Sequence, residues 1–139
     1  MRHAVLAALI LLVLPTWVWS DDVSKPDHTT AQASVIAWLE LIDQEKYERS
    51  WEASAPLFQE ALSAKKWARA ARAARKPLGS NLSRELIGAQ YRSELPGAPA
   101  GDYLIFQFKS SFEKKGDVVE TVTPMLVDGR WRVSGYFVR

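Results

Sequence analysis

Few residues in this chain are of types that do chemistry, and most of those are acids. There is no cysteine and there are two histidines. His3 lies in the short basic start of the chain and His28 in a polar segment further on. The part of the chain that folds therefore offers no Ser-His-acid or Cys-His arrangement. No His/Cys spacing suits a metal, and neither a Gly-rich phosphate loop nor a dinucleotide fingerprint is present. No cofactor or metal is expected. General acid–base chemistry by a carboxylate remains, and Glu120 is its candidate.

Glu120 is singled out by the hairpin that follows it. Val127-Asp128-Gly129-Arg130 sets Asp-Gly between two apolar runs, the pattern of a two-residue loop. Such a loop fixes a register. Val127 then faces Arg130, Leu126 faces Trp131, Pro124 faces Val133, Val122 faces Gly135 and Glu120 faces Phe137. Leu126, Trp131, Pro124, Val133, Val122 and Phe137 share the core face; Met125, Arg132, Thr123, Ser134, Thr121 and Tyr136 share the other. Glu120 falls on the core face, where a carboxylate must find a partner, gain a proton or reach water. Pro124 cannot donate to a ladder, so a bulge near it or at Ser134-Gly135 would change these pairs.

Four further residues complete the candidate ligand-binding set of Glu120, Arg72, Trp131, Tyr91 and Tyr103. Arg72 borders the packed side of a basic helix and is the cation expected to reach Glu120. Trp131 shares the core face, and the two tyrosines flank a loop holding Pro96, Gly97, Pro99 and Gly101. Each has a plainer reading. Glu120 can be a strand-end acid that reaches solvent or pairs with a helix arginine. The row Lys65, Lys66, Arg69, Arg72, Arg75 and Lys76 can be a solvated helix face. Trp38, Trp51, Trp67 and Trp131 can be core.

The elements that position these residues fall into two blocks. Ala31, Val35, Trp38, Leu39 and Ile42 recur at helical spacing. A second helical stretch carries Tyr47 and Trp51, and Pro56 ends it and opens a short one through Leu62. Ser63 can cap a third main helix, Ala64 to Lys76, stopped by Pro77 and Gly79. Residues 84–94, 103–112, 118–127 and 130–138 then read as strands. Three helices followed by four strands specify an α+β fold, with the helices packed on a curved four-stranded antiparallel meander.

The first twenty residues read as an export signal: a basic start, an apolar run from Ala4 to Leu14, Pro15, and small residues at Val18 and Ser20. Cleavage after Ser20 is expected. Asp21 to Thr30 then forms a disordered leader and residues 31–139 a single domain. The apolar run falls short of a membrane span, so a periplasmic or secreted protein with no stable anchor after cleavage is expected; the plainer reading is an uncleaved anchor with Trp17 and Trp19 at the interface. With 18 basic and 16 acidic residues the formal charge is +2, which makes no case for nucleic acid.

Several segments are shared with a known family. Ala37-Trp38-Leu39, Ser50-Trp51, Ala55-Pro56-Leu57-Phe58, Arg75-Lys76-Pro77-Leu78-Gly79, Leu95-Pro96-Gly97-Ala98-Pro99, Val119 to Met125 and Gly129 to Tyr136 resemble the bacterial domain-of-unknown-function family numbered 4019. The resemblance implies a small exported protein and carries no catalytic residue. The order of elements is also similar to cystatin-like and nuclear-transport-factor-like α+β rolls, in which a pocket lies between sheet and helices; this is analogy of fold alone. Three functions follow as expectations. The first is an exported binding or accessory module for a small molecule or a protein. The second is an isomerase or lyase of the roll type with Glu120 as base. The third is a structural homodimer formed through the open sheet face by Met125, Tyr136 and Val138.

Overall fold

The computed structural model describes residues 27–139. The export signal and the first part of the leader lie outside the described residues. Helix α1, His28–Asp43, begins three residues before the periodic stripe because Asp27 caps it. One Asp27 oxygen accepts from the Thr29 amide at 2.9 Å and the other from the Thr30 hydroxyl at 2.6 Å. His28 to Thr30 are thus helical, where a leader was expected. Helices α2 (Tyr47–Glu52) and α3 (Pro56–Ala61) follow, the latter opening on its proline. Helix α4 (Ala64–Arg75) is capped by Ser63, and a short 3-10 turn, Lys76–Leu78, hands the chain to the sheet.

Strands β1 (Asn81–Arg92), β2 (Tyr103–Phe112), β3 (Lys115–Val127) and β4 (Arg130–Val138) form one antiparallel meander in sequence order. β1 starts three residues before the expected Arg84. The fold is α+β, with the helices on one face of the sheet. The inward stripe Leu104, Phe106 and Phe108 meets Val35, Trp38, Leu39 and Ile42 of α1 and Trp67 of α4 in one core. Each large side chain so buried contributes about 1.5–3 kcal/mol.

The tryptophans are held by their edges as well as their faces. The Trp38 indole donates to the Ser50 carbonyl at 2.9 Å, and that of Trp67 to the Ser50 hydroxyl at 2.9 Å. The rings of Trp38 and Trp67 lie 5.7 Å apart, and Phe58 meets Trp67 edge-on at 4.8 Å. Ser50 and Ser54 of the small helical layer are thus the polar partners that let indoles be buried.

The last hairpin turns as expected near its loop and differs further on. Asp128 and Gly129 both have positive φ, 49° and 76°, the geometry of a two-residue loop whose twist matches its strands. Val127↔Arg130, Leu126↔Trp131 and Pro124↔Val133 pair as expected. The register then shifts, and Thr123 pairs with Gly135, Val122 with Tyr136, Thr121 with Phe137 and Glu120 with Val138. Ser134 is the extra residue, and its hydroxyl donates to the Thr123 carbonyl at 2.8 Å. The Pro124 position itself owes no donor to β4: the Leu126 amide, two residues on, donates to the Asp102 carbonyl on the β2 side, so the missing donor falls on that side. This bulge corrects the expected faces: Tyr136 turns to the core side beside Glu120, and Phe137 turns outward at 68% exposure. Val138 turns inward too, packing on Leu78, Phe112 and Val118.

Candidate functional site

Glu120 is fully buried, and side chains of four other elements, β1, β2, β4 and α4, converge on it. Its Oε1 accepts from Arg84 Nε of β1 at 2.7 Å and from the Ser110 hydroxyl of β2 at 2.6 Å. Its Oε2 accepts from the Tyr136 hydroxyl of β4 at 2.5 Å. The other two arms of the Arg84 guanidinium grip Asp43, the last residue of α1, at 2.9 and 3.0 Å. Arg75, at the end of α4, donates to the same Asp43 at 2.7 Å and brings Nη1 to 3.9 Å from Glu120 Oε2. Its guanidinium also stacks 4.6 Å from the centre of the Phe112 ring.

Two carboxylates and two guanidiniums balance formally, which is how charges are tolerated out of water. Burial works to raise the Asp43 pKa, but hydrogen bonds from Arg84 and Arg75 outweigh it and hold the carboxyl below its ordinary 3.8. Burial opposes the charge of Arg84, yet its bonds to Asp43 and Glu120 leave its pKa above the usual value. Burial and then the Glu120 charge push the Tyr136 phenol up, so it stays protonated and donates. The arrangement ties helices to sheet. A free general base needs an open lone pair and substrate access; Glu120 has three donors at its oxygens and lines none of the clefts described below.

Arg72 does not reach this cluster, contrary to expectation. Trp67, Ala71 and Arg75 repeat every fourth residue along the buried stripe of α4, and Arg72 lies one residue off it. It is exposed, with its guanidinium 5.5 Å above the Tyr47 ring. The other candidates also lie apart. Trp131 is core and edges an open cleft of about 380 Å³ with Thr30, Glu52 and Arg132. The Tyr91 hydroxyl donates to Asp102 at 2.6 Å, and the buried Tyr103 donates to the Pro99 carbonyl at 2.6 Å. These two fasten the loop after β1.

Arg75, Arg84, Asp43 and Ser110 were missed. The four-residue repeat would have found Arg75, and Ser110 interrupts the alternating stripe of Leu104, Phe106, Phe108 and Phe112. Arg84 had no such signal, because its partners come from distant elements.

Three clefts meet around the C-terminal half of α4. One of about 200 Å³ is lined by Ile42, Asp43, Glu45, Tyr47, Arg75 and Lys76 among others. A second runs past Tyr47, Ala68 and Arg72. The third, a groove of about 560 Å³, is lined by Arg69, Arg72, Ala73, Lys76, Pro77 and Lys114. Its four cations come from α4, the 3-10 turn and the β2–β3 turn. Among the described residues none of them is paired with a carboxylate, whereas Arg75, Arg84 and Lys109 all are. No three His, Cys, Asp or Glu side chains converge on a metal position among the described residues.

These features define an α+β domain whose interior is fastened by an ion-pair cluster and whose helical end is open and cationic. The chain belongs to the DUF4019 family, described as proteins of unknown function; the family model matches residues 34–136. No curated protein matches the chain.

Proposed function

We propose that this protein is an exported binding or accessory module, and that it takes its ligand at the cationic groove beside α4. The observation that carries the reading is the groove of about 560 Å³ lined by Arg69, Arg72, Lys76 and Lys114, none of which is paired with a carboxylate among the described residues. Cations gathered in one concavity attract anions. Guanidiniums favour planar or branched groups such as carboxylate and phosphoryl. Ala73 and Pro77 supply an aliphatic surface for an organic part. The occupied oxygens of Glu120 favour this reading over an isomerase or lyase.

Titration of the isotope-labelled protein with inorganic phosphate, citrate or a hexaglutamate peptide tests the site. At least one should move the amide resonances of Arg69, Arg72, Lys76 and Lys114, and Arg72→Glu with Lys76→Glu should abolish the movement. If none of the three moves them, the groove is not the site. For the export half, chain recovered from the periplasm of a bacterial host should begin at Asp21. Recovery only in the cytoplasm with Met1 retained would overturn it.

A further inference from the structure

The two edges of the sheet differ. At β4 the Ala55 amide donates to the Val133 carbonyl at 2.8 Å, so the α2–α3 connection covers part of that edge. At β1, among the described residues, no backbone group of Asn81–Arg92 bonds to any backbone other than that of β2. This strand is 12 residues long, holds no proline or lysine, and contains no buried residue. It exposes Leu82, Leu86, Ile87 and Tyr91. A long apolar edge with free amides and carbonyls is a template for another strand.

The pairing of β1 with β2 settles which β1 side chains share a face. Register shifts pass over Leu82 and Ile87, the bulged residues. Leu86, Ala89 and Tyr91 pair with Phe108, Phe106 and Leu104 and lie on the core side. Glu85, Gly88, Gln90 and Arg92 pair with Lys109, Gln107, Ile105 and Tyr103 and lie on the outer side. Without the bulge at Ile87, Glu85 and Arg92 would fall on opposite faces.

We propose that β1 pairs with β1 of a second copy of this chain, antiparallel about a two-fold axis at Ala89, making one continuous sheet. In that register Leu86 meets Tyr91 of the second copy and Glu85 meets its Arg92, each contact occurring twice. Every pair joins residues of one face, as antiparallel strands require. An axis at Gly88 sets Glu85 against Gln90, and one at Gln90 sets Arg92 against Gly88; neither matches the charges. Charge complementarity and apolar contact thus select one occupant and one register. The open sheet face is a poorer surface, because the Ser134 bulge has taken Tyr136 and Val138 away from it. The pairing uses no residue of the cationic groove, so it stands or falls independently of ligand binding there.

Sedimentation velocity over a concentration series tests this with the full chain, Glu85→Arg, Arg92→Glu and an equimolar mixture of the two variants. Wild type should dimerise. Each variant alone brings like charges together and should dimerise at least tenfold more weakly. The mixture should recover the dimer, because each variant supplies the charge the other lacks. Near-ultraviolet circular dichroism checks that both variants keep the fold; Arg92→Glu is the decisive one, since Glu85→Arg also approaches Lys109. A wild type that stays monomeric, a dimer indifferent to Arg92→Glu, or folded variants that fail to rescue each other would each overturn the proposal.

Discussion

Glu120 accepts from three donors, and Asp43 takes two guanidiniums. Removing one member leaves its partners charged and out of water. Glu120→Gln keeps the shape and removes the charge, so Arg84 and Arg75 lose half of their compensation. A loss of about 3 kcal/mol is expected, read from the urea midpoint; a loss within error would mean that the cluster does not fasten the fold. Asp43 adds a pH dependence of definite sign. Its folded pKa lies below 3.8, so an unfolded chain binds its proton first as pH falls. The stability it contributes is present above the unfolded value and is lost as pH falls through the folded one. Wild type and Asp43→Asn should therefore differ most near neutrality and converge below about pH 3.8. Midpoints measured across that range check it, and a gap that widens in acid would contradict the pairing.

The bulge in β4 decides which aromatic serves the core. One extra residue, Ser134, inverts the facing of every residue beyond it relative to a regular hairpin. Tyr136 then meets Glu120 and Phe137 meets solvent. The two positions consequently rank in an order opposite to the regular pairing. Tyr136→Phe withdraws a donor from a buried carboxylate and should cost about 2 kcal/mol. Phe137→Ser should cost less than about 0.5 kcal/mol. Denaturation of both variants reads the register directly; the reverse order would restore the regular one. The helices obey the same logic of phase. On α4 the stripe Trp67, Ala71 and Arg75 faces inward, so the arginine three residues beyond Arg72 joins Asp43 and Glu120. Arg72 is left at the groove.

At the scale of the molecule, the ion-pair cluster is where helices and sheet are joined, drawing on α1, α4 and all four strands. The groove and the Glu85–Arg92 part of the β1 edge lie outside it. Much of this was legible in the chain. Apolar spacing marked α1, a serine cap and a Pro-Gly stop marked α4, and runs of β-branched and aromatic residues marked the strands; β2 and β4 have the expected bounds, because such patterns are local. The Asp-Gly loop fixed the first pairs of the last hairpin, and together they put an acid on the core face. What closes on that acid was not local. Arg84 lies 36 residues away along the chain and Arg75 on another element, so only folding could bring them to it. The faces beyond Pro124 also depended on where β4 placed its extra residue, and several bulge positions satisfy the sequence equally. Local periodicity therefore determined the elements and the burial of Glu120, whereas the tertiary structure chose its partners and left Arg72 at the groove, because those outcomes depend on the phase at which distant elements meet.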